Sequence, residues 1–182
     1  MNIPNILTLL RIALIPILVG VYYLPFNWVN MVCGTVFALG CFTDWLDGYL
    51  ARKLDQSTTL GAFLDPVADK LIVAVALVLL CVTYATPLMT IPAIVIICRE
   101  IVISALREWM AELGKRSNVK VSHLGKVKTA MQMLSIIVLL SVEPLSIYSW
   151  IGWGALYIAA VLTIWSMFIY LKAAWSDLKK HS

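Results

Sequence analysis

Long apolar stretches dominate the sequence and are separated by short polar segments. Six stretches approach or exceed the roughly 20 residues that a helix needs to cross the hydrocarbon core of a bilayer. They cover residues 6–25, 28–50, 60–85, 88–112, 124–142 and 148–173. Because they occupy nearly the whole chain, the sequence predicts a single all-α membrane domain over residues 1–182, built as a bundle of six transmembrane helices.

The first stretch resembles a secretory signal in position but not in composition. It lacks a basic n-region and a small-residue cleavage site, so we interpret it as a span that is retained. Its first part, residues 3–10, contains Asn5 and Thr8 and is followed by Arg11. These polar side chains are also compatible with an N-terminal helix that lies along the membrane surface. The sequence leaves these two interpretations of residues 3–10 open.

Basic residues are distributed unevenly between the ends of the six stretches. Three of the five connections contain no Lys or Arg, and the positive charges gather on the other side: Arg52, Lys53, Lys115, Arg116, Lys120, Lys126, Lys128, Lys172, Lys179 and Lys180. The positive-inside rule therefore predicts that both termini and the second and fourth loops are cytoplasmic. The net charge of +4 is explained by topology and by anionic lipid, and no nucleic-acid motif accompanies it.

Cysteines and small residues give weaker signals. The four cysteines have no pair at metal-ligand or redox spacing, so we interpret them as core residues. Gly34 and Ala38 lie four apart in the second stretch and permit close helix approach. Packing inside one bundle and packing between two copies in a homodimer explain them equally well.

Four aspartates stand in places where an ionisable side chain is costly. Insertion of such a group into a span costs at least ~2.5 kcal/mol, so it indicates a functional site. DWLDGYLAR contains Asp44 and Asp47, and GAFLDPVAD contains Asp65 and Asp69. Residues three or four apart share one helix face. Since the two helices are joined by a short loop, antiparallel packing would bring the four carboxylates together.

Clustered carboxylates repel one another and need a positive partner. Divalent ions such as Mg²⁺ or Mn²⁺ prefer oxygen ligands, and two of them would balance the four aspartates. Ion pairs with Arg52, Lys53 or Lys70, and the proton relay of a transporter, are the alternative explanations. A transporter would need ionisable groups spread across the bilayer, whereas these aspartates gather near one surface.

A metal pair beside the headgroup layer suits phosphoryl-type transfer. One carboxylate must remain free to accept the proton of an attacking hydroxyl, and we assign this role to Asp69, the deepest of the four. Gly48, Ala51 and Gly61 would let a nucleotide approach the backbone, although helix packing explains each of them as well. Arg52 is placed either to pair with a phosphate or to extend towards the membrane surface.

The full pattern resembles the signature of the CDP-alcohol phosphatidyltransferase family. It reads Asp44-x-x-Asp47-Gly48-x-x-Ala51-Arg52, eight residues, then Gly61-x-x-x-Asp65-x-x-x-Asp69, with no departure. The resemblance implies that the metal ligands are Asp44, Asp47 and Asp65, helped by Asp69. It further implies that Asp69 is the base, and that Gly48, Ala51, Arg52 and Gly61 bind CDP. A six-helix bundle that pairs as a homodimer is also implied.

Residues outside the signature must indicate the acceptor alcohol, because the signature does not distinguish family members that use different alcohols. A phosphorylated acceptor would need a cationic site. In the fourth stretch Glu100, Ser104 and Arg107 share a polar stripe, and Arg99 lies off it. Arg107 is therefore one candidate, with an ion pair to Glu100, Glu108 or Glu112 as the alternative. Lys126 and Lys128 are the others, and since they point about 200° apart, at most one faces the site squarely.

Three further segments are similar to one bacterial subgroup of that family: IPNILTLLRI, CREIVISALRE and HLGKVKTAMQ. This resemblance implies the transfer of a phosphatidyl group from CDP-diacylglycerol to sn-glycerol 3-phosphate, with release of CMP, in the bacterial inner membrane. It also implies that Asn5, Thr8 and Arg11 close one wall of the site, without individual roles. The alternatives are a cardiolipin synthase of the same family, which accepts phosphatidylglycerol, and a small ion-coupled transporter. His123 has no partner at ligand spacing and is interpreted as a loop residue.

Overall fold

The computed structural model describes residues 3–54, 59–112 and 123–178, and within these ranges it is entirely helical. At some positions, including Ala51, Arg52 and His123, only the backbone is described. The six helices are α1 (Ile3–Tyr22), α2 (Val29–Leu54), α3 (Thr59–Tyr84), α4 (Pro87–Glu112), α5 (His123–Ser141) and α6 (Ser149–Leu178). The all-α fold class predicted from the apolar stretches is confirmed.

The helix boundaries follow local chemistry. Pro87 occupies the first position of α4, where its fixed φ suits a helix start and its missing N–H is not needed. Ala85 and Leu145 adopt positive φ, 45° and 67°, in the short turns before α4 and α6. The helix α1 runs without interruption from Ile3 to Tyr22. No break therefore sets residues 3–10 apart as a separate interfacial helix in the described part of α1.

Five of the six helices are long and apolar enough to cross a membrane: Asn5–Tyr22, Val29–Leu50, Phe63–Tyr84, Pro87–Met110 and Ser149–Lys172. The protein is thus a multi-pass membrane protein. The remaining helix, α5, carries Lys128, Gln132 and Ser135 on a buried side, which lowers its average hydropathy. Whether α5 is the sixth span stays a prediction.

The bundle is held by an apolar core to which every helix contributes. The helix α1 packs on α2 and α3, α5 packs between α2 and α6, and α4 packs on α3 and α6. Fully buried side chains from all six helices meet in the interior, among them Leu18, Phe37, Leu77, Ile96, Ile136 and Leu156. This core fixes the ends of α2, α3, α4 and α5 relative to one another, and those ends carry the polar residues.

Glycines allow the closest helix approaches inside this bundle. A Cβ atom at Gly34 would lie 1.8 Å from Ser141 Oγ and 3.1 Å from its Cα, so α2 and α5 approach here at a distance that only glycine permits. A Cβ atom at Gly152 would lie 2.6 Å from Leu139 Cγ, so the glycine leaves room for that side chain between α5 and α6. Packing within one chain therefore accounts for Gly34, while homodimerisation remains a prediction.

Candidate active site

Four aspartates from two neighbouring helices form what we call the carboxylate cluster: Asp44, Asp47, Asp65 and Asp69. Asp47 is buried, Asp65 and Asp69 are partly buried, and the side chain of Asp44 is 46% exposed. Electrostatic coupling links Asp47 with Asp44 and Asp65, and Asp69 with Asp44. The antiparallel packing of α2 against α3 thus brings the four groups into one neighbourhood, as their helical spacing predicts.

The helix α1 inserts polar side chains into the carboxylate cluster. Arg11 is fully buried, donates a hydrogen bond from Nη2 to Asp47 Oδ2 and forms an ion pair from Nη1 to Asp44 Oδ1 at 3.0 Å. Thr8, one turn earlier and also buried, donates to Asp65 Oδ1. The resemblance to the bacterial subgroup implied that Thr8 and Arg11 belong to one wall of the site, but it gave them no individual roles, and their contacts with particular aspartates were not predicted. The signal was their spacing of three residues, which places both on one helix face.

One guanidinium does not balance four carboxylates, so the cluster retains affinity for further positive charge. Its donors are carboxylate oxygens, which are the ligands that Mg²⁺ and Mn²⁺ prefer. The donor set therefore fits divalent ions in its chemistry. Among the residues whose positions are described, no three His, Cys, Asp or Glu side chains are arranged around one point as metal ligands. In this arrangement Arg11 and Thr8 engage the oxygens of Asp44, Asp47 and Asp65 instead.

The predicted nucleotide-binding residues lie at the same end of α2 and α3. Gly48 follows Asp47 directly and is partly buried, while Gly61 is buried one turn before Asp65. Ala51 and Arg52 belong to the last turn of α2, and their side chains lie outside the described part of the structure. The backbone thus places the four signature positions beside the carboxylate cluster.

A small polar cavity of about 50 Å³ opens next to Asp69. We call it the polar cavity. It lies between α3, α4 and α5, and its lining consists of Asp69, Lys70, Val73, Glu100, Lys128, Thr129, Gln132 and Met133. Asp69 therefore belongs both to the carboxylate cluster and to the wall of this second site.

Charged groups around the polar cavity form a connected network. Glu100 Oε1 accepts hydrogen bonds from Lys128 Nζ and, at 3.1 Å, from Arg99 Nη1. Arg99 also donates from Nη2 to Ser166 Oγ of α6 at 3.2 Å. Lys70 donates to Ser104 Oγ across the gap between α3 and α4. Because these groups are held by partners on other helices, the cations are oriented before any ligand binds.

The structure separates the three predicted acceptor-binding residues. Lys128 is buried and lines the polar cavity, whereas Lys126 is exposed on another face of α5, as their angular separation predicts. Arg107 is exposed and donates from Nη2 to Tyr170 OH at 3.0 Å. Its guanidinium lies 5.4 Å from the centroid of the Tyr170 ring. Neither Lys126 nor Arg107 is therefore brought to the polar cavity.

The sequence favoured one arginine of α4 as a residue of the acceptor site, and the structure brings the other one closer to the polar cavity. The polar stripe favoured Arg107 over Arg99, yet the side chain of Arg99 reaches Glu100 and that of Arg107 does not. Ser104 follows the stripe and faces Lys70. Arg99 is buried against α6, where it donates a hydrogen bond to Ser166 Oγ and its guanidinium lies over the Tyr170 ring. The long side chain thus compensates for a Cα position off the stripe.

Comparison with known proteins identifies the family of this chain. Residues 1–165 match the family model described as CDP-alcohol phosphatidyltransferase. A protein of Sodalis glossinidius is 56% identical over 181 residues, covering 100% of this chain and 99% of its own length. One of Pectobacterium atrosepticum is 58% identical and one of Pseudomonas fluorescens 56% identical, over 97% and 98% of this chain and 97% and 93% of their own lengths.

All three relatives bear the name CDP-diacylglycerol--glycerol-3-phosphate 3-phosphatidyltransferase. The family match spans both signature segments, including every aspartate of the carboxylate cluster. It also covers the lining of the polar cavity. The family match and these full-length relatives show that this chain belongs to the CDP-alcohol phosphatidyltransferase family.

Proposed function

We propose that this protein transfers a phosphatidyl group from CDP-diacylglycerol to sn-glycerol 3-phosphate, giving phosphatidylglycerophosphate and CMP. The names of full-length relatives at 56% to 58% identity support this reaction. The observation that carries the proposal is the position of Asp69, which is shared by the carboxylate cluster and the polar cavity. A base at this junction faces a site for a diphosphate on one side and a site for an anionic alcohol on the other.

The carboxylate cluster is the proposed site for the diphosphate of the lipid donor. Asp44, Asp47, Asp65 and Asp69 would hold two divalent ions, Mg²⁺ or Mn²⁺, which supply charge neutralisation at the diphosphate oxygens when bound. Arg11, already held among these aspartates, adds a fixed positive charge on the α1 side. Thr8 restrains the carboxylate of Asp65, which keeps its oxygens oriented.

The cytidine end of the donor is assigned to the neighbouring turns of α2 and α3. Gly48, Ala51 and Gly61 have small or absent side chains, so a planar base can approach the backbone there. Arg52 would bind a phosphate oxygen from the end of α2. These residues stand beside the aspartates in the chain, which places CMP next to the bond that breaks.

Asp69 is the proposed general base. It accepts the proton of the acceptor hydroxyl as that oxygen attacks the phosphorus attached to diacylglycerol. The new phosphorus–oxygen bond forms while the bond to the bridging oxygen of CMP breaks, and CMP leaves with that electron pair. The proton remains on Asp69 until it is released to solvent. The partly buried position of Asp69 supports this choice, and the ion pairs of Arg11 engage Asp44 and Asp47 instead.

Lys128 is the proposed binding residue for the acceptor phosphate. It is buried in the wall that also contains Asp69, and it is oriented by Glu100, which also accepts a hydrogen bond from Arg99. When the phosphate binds, the ammonium group divides its hydrogen bonds between the phosphate and Glu100. Lys126 and Arg107 are exposed, and we assign them to the attraction of the anionic acceptor from outside.

The proposed location is the bacterial inner membrane, with six spans, the active site near the cytoplasmic face and both termini in the cytoplasm. The one-sided distribution of Lys and Arg supports this orientation. The water-soluble acceptor and the water-soluble product CMP are then on the side where the carboxylates gather. A homodimer is also proposed, and it is testable by mass measurement of the detergent-solubilised protein.

The experiment that tests the function is an acceptor panel with purified protein in vesicles containing CDP-diacylglycerol and Mg²⁺ or Mn²⁺. Glycerol 3-phosphate, phosphatidylglycerol, serine and inositol are compared by CMP release and by the lipid formed, with a chelator as control. We expect phosphatidylglycerophosphate from glycerol 3-phosphate alone, and none with chelator. Transfer to phosphatidylglycerol but not to glycerol 3-phosphate would replace the proposal by cardiolipin synthesis. Absence of CMP release with every acceptor would favour transport.

A further inference from the structure

One residue of the polar cavity has no part in the roles described above. Gln132 lies one turn beyond Lys128 on the same face of α5. It is 4% exposed, and its carboxamide oxygen Oε1 is buried without a hydrogen-bond partner among the residues that the structure describes. The same side chain lines the cavity together with Asp69 and Lys128. A buried amide oxygen thus lies beside an open space between the proposed base and the proposed phosphate ligand.

An unpartnered buried oxygen of this kind is destabilising unless something donates to it. The donors in the cavity wall are directed elsewhere: Thr129 donates to the Gly125 carbonyl at 2.9 Å, Lys70 to Ser104, and Lys128 to Glu100. Ionised Asp69 and Glu100 only accept hydrogen bonds. Gln132 Oε1 is therefore available to accept a hydrogen bond from a molecule that binds inside the cavity.

The size and position of the polar cavity restrict that molecule. Its volume of about 50 Å³ is a few times the roughly 10–15 Å³ that a cavity needs, on the same measure, to hold one water. This space admits a short segment with a hydroxyl group but no acyl chain. Since Asp69 takes the reacting hydroxyl and Lys128 the phosphate, the space between them is where the middle of a short acceptor lies.

We propose that Gln132 Oε1 accepts a hydrogen bond from the non-reacting C2 hydroxyl of glycerol 3-phosphate, which makes Gln132 a specificity-determining residue of the acceptor site. This inference rests on the proposed function, because it assigns a contact to its acceptor. A site that is built to bind a hydroxyl group discriminates strongly against an analogue without it, since the polar partner is then left unpaired. Gln132 would thereby distinguish glycerol 3-phosphate from other short phosphorylated alcohols.

The test uses two acceptors and one isosteric variant. The acceptors are glycerol 3-phosphate and 3-hydroxypropyl phosphate, which lacks the C2 hydroxyl and keeps the reacting hydroxyl and the phosphate. The variant Gln132→Met preserves the length of the side chain without its amide oxygen. Met133→Leu, an apolar change in the same wall, is the matched control. Values of kcat/KM are measured for both acceptors in vesicles, together with thermal stability.

We expect the wild-type protein to prefer glycerol 3-phosphate by about 10- to 100-fold. Gln132→Met should lower kcat/KM for glycerol 3-phosphate by a similar factor and change that for 3-hydroxypropyl phosphate by less than about 3-fold. Met133→Leu should keep the preference of the wild type. If Gln132→Met does not fold, Gln132→Asn, shortened by one methylene, replaces it and should also lose preference.

Three results would overturn the inference without touching the proposed function. They are a wild-type protein that uses the two acceptors equally, a Gln132 variant that loses the same factor for both, and a Gln132 variant whose kcat/KM is unchanged for both. The second result would show a structural role only. The proposed function fails separately, if the wild-type protein forms no phosphatidylglycerophosphate from glycerol 3-phosphate.

Discussion

The carboxylate cluster and the polar cavity share Asp69, and they differ in the sign of the charge that they leave uncompensated. In the cluster, Arg11 is the cation that the structure pairs directly with Asp44 and Asp47, and Asp65 is held by the neutral Thr8. In the cavity, Glu100 is shared by two cations, Lys128 and Arg99. One region therefore lacks positive charge and the other lacks negative charge.

This difference indicates which partner each region binds. An excess of carboxylates is suited to divalent cations and, with them, to a diphosphate. An excess of buried cations is suited to a phosphate that arrives without a metal. The base must reach the acceptor hydroxyl while the oxygen of that hydroxyl lies beside the donor phosphorus, so the base has to lie where the two regions meet. The predictions below test each region and the residue that joins them.

The largest effect is expected for Asp69→Asn. The amide cannot accept the proton of the attacking hydroxyl, so kcat should fall by about 10²- to 10⁴-fold. CMP release in vesicles measures the effect. Glu143→Gln, an exposed carboxylate in the turn before α6, is the matched control and should retain wild-type turnover. Substantial CMP release by Asp69→Asn at unchanged pH would remove Asp69 from the role of base.

The next largest effect is expected for Arg11→Met, which removes the cation buried in the carboxylate cluster. Breaking a buried ion pair leaves uncompensated charge and typically costs about 3–5 kcal/mol of folding free energy. We expect a clear fall in thermal stability in detergent with chelator present, and a smaller fall in Mg²⁺ or Mn²⁺, since a divalent ion would replace the missing charge. Arg11→Lys keeps the charge and should lose less. An equal loss with chelator and with metal would contradict divalent binding by the cluster.

A smaller effect is expected in the polar cavity, where Lys128→Met and Lys126→Met form a matched pair. Both variants lose one positive charge from the start of α5, but only Lys128 is buried beside Asp69. A lost charge-assisted hydrogen bond to the acceptor phosphate should raise KM for glycerol 3-phosphate by about 10- to 100-fold in Lys128→Met. Lys126→Met should change KM by less than about 3-fold at physiological salt. Equal effects in the two variants would mean that net charge, and not contact, attracts the acceptor.

The smallest effect is expected for Arg107→Gln, which lies outside both regions. Arg107 is exposed and stands against Tyr170, so KM for either substrate should change by less than about 2-fold. Steady-state kinetics at several salt concentrations measure this. A rise in KM for glycerol 3-phosphate as large as that of Lys128→Met would extend the acceptor site beyond the polar cavity, onto the exposed face of α4.

The helices and the functional aspartates could be predicted from the sequence for physical reasons. Bilayer thickness fixes the length of an apolar span, so the predicted stretches end within a few residues of most helix ends; α2 and α6 run four and five residues further. The aspartates were recognisable because charge inside such a span is costly. Their proximity followed from helix periodicity and from the short connection between α2 and α3.

Contacts between helices were harder to predict from the sequence. Apolar side chains surround each helix, so the sequence does not specify how the helix is rotated about its axis. For this reason the contacts of Arg11 and Thr8 with the aspartates and the role of Gln132 were not predicted. Side-chain length also matters, since Arg99 reaches Glu100 from off the polar stripe and Arg107 does not. On α5 the difficulty is different. Its buried side carries polar residues, so the mean hydropathy of the helix is low although the helix packs inside the bundle.

The central claim is that the hydroxyl oxygen of the acceptor, deprotonated beside Asp69, becomes the oxygen that joins it to the lipid phosphate. Glycerol 3-phosphate labelled with ¹⁸O in its reacting hydroxyl tests this directly, with mass spectrometry of the lipid product and of CMP. The proposed reaction predicts that the label is retained quantitatively in the new phosphodiester and is absent from CMP. Label found in CMP, or lost to water, would contradict it.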